Sequence, residues 1–305
     1  DSLGHALESA TRGESYGTNP SHPNRGMEGA TEVMEQVVKR YGEDSDLVNE
    51  RDGLQDSVAR MGAAYMDDLN YEVADIGDAG ELIDKEERFP AQGRDHLDIT
   101  SREASNFLYG LAEDKESHAA LSVAQQAYTS GQLAAPNTSS TDASVVGSVG
   151  ATVHGILDQG RMDAIDEKYG DDLDAKNKEI AESTAWKTAA TSMAVGAGVG
   201  LVAVPTMGVG AVAVPLVMGV AEESANTYFG NSFNESAEEE AKRYEDQKDD
   251  ERRMEKQEYM DAGLTTSLVP VKTYAALHAT TESERAEMWN NVKGSYYDGA
   301  QYAKS

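Results

Sequence analysis

Apolar residues along this chain recur at spacings of three and four, the rhythm of helices that each bury one face. Val33, Met34, Val37 and Val38 share one face of a helix that ends at Tyr41-Gly42. Leu54, Val58, Met61, Tyr65, Leu69 and Val73 form the next stripe, which predicts one long helix over 46–75. Gly77, Gly80, Pro90 and Gly93 break the pattern, so 76–98 reads as a long loop. Thr100 and Glu103 have capping-box spacing and open a helix carrying Phe107, Leu108 and Leu111. A helix over 115–132 carries Leu121, Ala124, Ala127 and Tyr128. Residues 136–142 (PNTSSTD) read as an internal linker with Asp142 as the next N-cap, before an amphipathic helix over 142–168 with Val145, Val149, Val153, Ile156 and Met162.

The rhythm then stops. Between Lys187 and Glu222 lie 34 residues without a charge, rich in Ala, Gly and Val. Water must be kept from such a stretch, so it predicts a central helical hairpin over 188–221, split at Pro205. Gly196 and Gly200 form a small-xxx-small pair on one arm, and Gly208, Gly210 and Pro215 keep the other slim enough for close packing. The first arm, Thr188–Val204, would be about 25 Å long as a helix, short of the roughly 30 Å hydrocarbon core of a bilayer. Composition then reverses: 235–261 mixes both signs of charge densely and reads as a solvated helix. Short helices over 274–278 and 282–293 follow. The Leu268–Val271 and Val209–Val214 stretches are the best strand contenders, and Gly or Pro disrupts both. The fold class expected is all-α, a multi-helix bundle wrapped around that hairpin. Its parts are an irregular arm over 1–26, a helical subdomain over 27–135 and a second over 142–305.

Charge narrows the function. A formal net charge of −29 over 305 residues repels phosphates, which argues against a nucleic-acid partner. Without cysteine there is no disulfide, thiolate metal site or Cys nucleophile. The first residue is Asp and no basic-then-apolar leader follows, so the chain reads as a processed product, a fragment or the ordered part of something longer.

Chemistry is sparse. None of the six histidines, His5, His22, His96, His118, His154 and His278, stands at metal-ligand spacing from another. Glu113, Asp114, Glu116 and His118 cluster at a helix connection and read as solvated capping groups. His154 falls beside a buried stripe and reads as a satisfied core-edge histidine. Asp75 to Glu81 only loosely resembles a calcium loop, lacking the register of an EF-hand. Adjacent carboxylates at Asp67-Asp68 and Asp171-Asp172 point about 100° apart on a helix, so neither pair is a ready acid/base dyad. Gly196-Ala-Gly198-Val-Gly200 lacks the preceding strand of a dinucleotide site. These readings give no catalytic, cofactor-binding or metal-binding residues.

Several stretches in order carry a resemblance: RMGAAYMDDLN (60–70), HLDITSREASNFLYGLAED (96–114), SVAQQAYTSGQ (122–132), VGATVHGILDQGRMDA (149–164) and the Ala/Gly-rich segment. Together these resemble the C-terminal helical region of large Streptomyces-type actinobacterial proteins linked to type VII (Trp-Xaa-Gly) secretion and polymorphic toxins. The Trp-Xaa-Gly turn itself is absent, since Trp186 precedes Lys-Thr and Trp289 precedes Asn-Asn. The resemblance implies export from the cytoplasm to the cell surface or beyond, a protein partner or self-association, and no reaction. The expected function is therefore a secreted, non-enzymatic protein acting through contacts, with 235–261 and the N-terminal arm as contact surfaces. One alternative is a pore-former that inserts 188–221, as colicin-type toxins hide an apolar hairpin. A second is a hydrolase gathering Asp67, Asp68, His118 and His154.

Overall fold

The computed structural model describes residues 2–12, 29–44, 47, 54–77, 84–90, 95–135, 138–170, 172, 175–180, 182–183, 202–204, 212–214, 256–278 and 280–303. The elements are α1 (Ser2–Arg12), α2 (Ala30–Glu43), α3 (Leu54–Ala64), α4 (Met66–Val73), α5 (Lys85–Arg88), α6 (Ser101–Ala112), α7 (Lys115–Leu133), α8 (Ser140–Tyr169), strands β1 (Val202–Val204) and β2 (Val212–Val214), α9 (Lys256–Leu277) and α10 (Glu282–Ala303). The fold class is all-α, as the periodicity predicts, with one small strand pair.

Three capping boxes set where helices begin. Thr100 and Glu103 exchange hydrogen bonds as expected and start α6. Ser139, not Asp142, caps α8, and Asp142 is the acidic partner three residues on, which corrects the predicted start. Thr281 and Glu284 repeat the arrangement at the start of α10.

Among the described residues, the element enclosed by the others is α8. Its side chains are buried without interruption from Ala143 to Met162. The single stripe predicted there is therefore too narrow: small residues between the valines let neighbours close in on every side. A Cβ at Gly147 would strike Val271 of α9, at Gly150 Thr129 of α7, at Gly155 the Tyr296 carbonyl of α10, and at Gly160 the Tyr109 carbonyl of α6. Gly299 of α10 returns the contact against the Thr152 carbonyl. Glycine here buys backbone-to-backbone approach that no larger residue permits. One continuous buried cluster runs from Met34 to Ala300, so the helices before and after 136–142 share a core.

Several expected boundaries are corrected. Ser2–Arg12, within the predicted irregular arm, is helical. Tyr65 donates its hydroxyl to the Thr11 carbonyl at 2.9 Å, supplying a partner for the end of α1. The predicted helix over 46–75 is broken at that same residue, whose backbone (φ −111°, ψ 29°) leaves the helical region. A short helix, α5, interrupts the loop predicted over 76–98. The predicted short helices over 274–278 and 282–293 are parts of 22-residue helices, α9 and α10.

Pro270, read as a strand disruptor, lies inside α9. Proline has no amide hydrogen, so the Thr266 carbonyl four residues back loses its helical donor. Gln126 Nε2 of α7 donates to that carbonyl at 3.3 Å, and His154 Nε2 of α8 lies 3.3 Å from Gln126 Oε1. Gln126→Leu is expected to lower stability by about 1–2 kcal/mol in urea unfolding. Adding Pro270→Ala should recover part of that loss by restoring the missing amide; no recovery would refute this assignment.

The largest correction falls in the uncharged segment. Its described residues are not helical: β1 and β2 pair antiparallel, with Val202 opposite Val214 and Val204 opposite Val212. Val-Ala-Val-Pro occurs twice, at 202–205 and 212–215, and β-branched valines favour the extended backbone. Gly196, Gly200, Pro205, Gly208, Gly210 and Pro215 lie outside the described residues, as does most of 235–261.

Candidate functional site

Two histidine–carboxylate pairs form, neither of them predicted. The first joins three helices inside the core. His118 Nε2 of α7 donates to Asp158 Oδ1 of α8 at 2.9 Å, and the Tyr296 hydroxyl of α10 donates to Asp158 Oδ2 at 2.6 Å. Exposure is 3% for His118, 1% for Asp158 and 0% for Tyr296. Gly263 of α9 closes over the carboxylate, since a Cβ there would collide with Asp158 Oδ2. Burial first, and the Asp158 charge second, hold the Tyr296 and Tyr259 hydroxyls well above the ordinary tyrosine range, so both stay protonated. One turn on, Arg161 donates to the Glu113 carbonyl at 2.8 Å and pairs with Glu179, which also accepts from Tyr169 at 3.1 Å.

The solvated role expected for His118 is thus corrected. Asp114 does cap α7, accepting from the Ser117 amide at 2.8 Å, but His118 one turn later faces inward. His118 shares a helix face with Leu121 and Ser122, three and four residues on and also buried, and its bond to Asp158 directs that face toward α8. An uncharged neighbourhood around Asp158, from Ala143 to Leu157, was the available sign that this carboxylate is buried and needs a donor.

The second pair lies near the surface. Asp68 of α4 accepts from the Leu97 amide at 3.1 Å and lies 3.0 Å from His96 Nδ1. Tyr71 stacks on His96 with ring centroids 3.8 Å apart, and its hydroxyl donates to Glu86 at 2.9 Å. Burial, then that hydrogen bond, pushes the Tyr71 hydroxyl up to about 12.

All four residues of the hydrolase alternative are buried. Asp68 is engaged with His96, while His118 with Asp158 and His154 with Gln126 both bridge α7 and α8. Asp67 is buried beside Asp68 on α4. Asp75, from the loosely calcium-like stretch, pairs with Lys85 at 2.7 Å. Among the described residues no three His, Asp or Glu side chains gather as a metal-holding group, and no helix is long and apolar enough to cross a membrane. No family model, curated protein or solved structure matches the chain.

Proposed function

We propose that this chain is an exported, non-enzymatic helical protein that acts through protein contacts, as the scaffold or delivery part of an interbacterial antagonism system. One observation carries the reading: the side chains best able to do chemistry are spent tying helices together. His118, Asp158 and Tyr296 join α7, α8 and α10, while His154 and Gln126 serve the Thr266 carbonyl that Pro270 leaves without a donor. Buried polar networks of this kind fix one arrangement of helices, which a contact surface requires. A surface of high negative charge favours a partner with a basic face.

The test is binding to the products of neighbouring genes, followed by size-exclusion chromatography with light scattering. A defined complex that persists with Asp68→Asn or His154→Gln supports the proposal. Turnover of an ester, peptide or phosphodiester that either change abolishes would overturn it.

The uncharged 188–221 segment favours membrane insertion as a second reading. That reading expects dye release from anionic vesicles, stronger at pH 5 than at 7.5, because protonating surface carboxylates lowers the repulsion and the cost of insertion. It also expects Gly196→Asp to abolish release. The contact reading expects none at either pH.

A further inference from the structure

Two stretches far apart in sequence build the body of this fold. The later one, α9 with α10, hydrogen-bonds to partners that lie between Arg102 and Asp158. Met288, Val292, Tyr296 and Ala300, spaced by four along α10, form one buried stripe against α8. At its centre Gly155 and Gly299 each approach the opposite backbone, and the Tyr296–Asp158 bond stands beside them.

Away from that centre the contacts turn polar. Ser140 donates to Glu284 at 2.8 Å and Asn291 to Ser144 at 3.0 Å. Arg102 donates to the Tyr302 carbonyl at 2.8 Å and lies 4.0 Å from the centroid of that residue's ring. On α9 the buried Tyr274 hydroxyl donates to the Thr138 carbonyl at 2.9 Å, and Val271 occupies the space beside Gly147. Within the pair, Tyr297 donates to Asp261 at 2.8 Å, so α9 and α10 hold each other as well as α8. A dry centre with tyrosine anchors and a hydrogen-bonded rim is the anatomy of an interface between separate proteins. None of the contacts named uses residues 184–255, and β2, within that stretch, lies against α3 and α7. The covalent connection therefore adds effective concentration to a docking that side chains and backbones already specify.

We propose that the face formed by α6, α7 and α8 is a receptor for residues 256–303, and that the chain remains one body when it is cut in the charged stretch 235–255. The partner of this surface is the chain's own C-terminal helix pair. Cleavage by an endoprotease in that stretch yields a two-chain protein of unchanged fold rather than a truncated one. The inference is independent of whether the protein binds partners or membranes, since it concerns contacts inside the chain.

The test uses the full chain with a specific protease site inserted between Gln247 and Lys248, cut to completion as judged on a denaturing gel. Size-exclusion chromatography with light scattering should return the mass of the uncut chain, with an unchanged circular dichroism spectrum. About nine-tenths of the C-terminal piece should stay bound at about 5 μM, as a Kd of about 50 nM gives. Tyr296→Phe keeps the ring and removes the donor to Asp158, so the cut variant should bind its C-terminal piece about tenfold more weakly on dilution while the uncut variant stays folded. Separation of the pieces in the cut wild type, loss of helical signal on cutting, or equal retention in cut Tyr296→Phe would overturn the proposal.

Discussion

Asp158→Ala is expected to lower stability by about 4 kcal/mol, a large share of the roughly 5–15 kcal/mol by which a domain is folded. The carboxylate accepts from His118 and Tyr296 at 2.9 and 2.6 Å, at a site that water does not reach. Removing it strands two buried donors from two other helices and opens a void beneath Gly263. Asp158→Asn should cost less, since it keeps the shape and one acceptor. The pair His118→Leu with Asp158→Leu separates the cost of breaking the interaction from its net worth, because apolar replacement removes donor and acceptor together. Urea unfolding of the set is the measurement. If the double variant loses as much as the two single losses combined, the interaction described here does not couple α7 to α8.

Gly155→Ala should cost more than about 3 kcal/mol, at the upper end of overpacking effects. The added methyl group would meet backbone, the Tyr296 carbonyl and the Ala300 amide, rather than a side chain that can turn away. Gly299 makes the reciprocal approach to Thr152, so α8 and α10 cannot separate at one point without losing the other. Gly294, on the same α10 helix, supplies the control: nothing lies within 4 Å of a Cβ there. Gly294→Ala should therefore stabilise by about 0.5–1 kcal/mol through helix propensity alone. A Gly155→Ala protein within 0.5 kcal/mol of wild type would show that the two helices are not in backbone contact.

Helix positions were largely legible because each stripe of apolar residues implies a face to be covered, and because Thr100 with Glu103 marks a start locally. What escaped the sequence depends on partners distant along the chain. Tyr65 looks like one more stripe residue, yet its hydroxyl meets Thr11 and the helix breaks there. Pro270 argues against a helix until Gln126, 140 positions away in sequence from Thr266, supplies a donor to the freed carbonyl. His118 and Asp158 are 40 positions apart, with nothing local to link them. Hydrophobicity and glycine content in the uncharged segment favour close packing in either backbone state, and the repeated Val-Ala-Val-Pro is the local sign of paired strands.

The enclosure of α8 also bears on the order in which the chain becomes compact. Its last wall is α10, whose Tyr296 meets Asp158 across 138 positions of sequence. Loop closure over such a span must come before the contact rewards it, so assembly leans on the slow, non-local step. During synthesis the middle helix must wait, uncovered on one flank, until the ribosome has released the residues that seal it. A newly made chain thus stays pliable until α10 has emerged and docked.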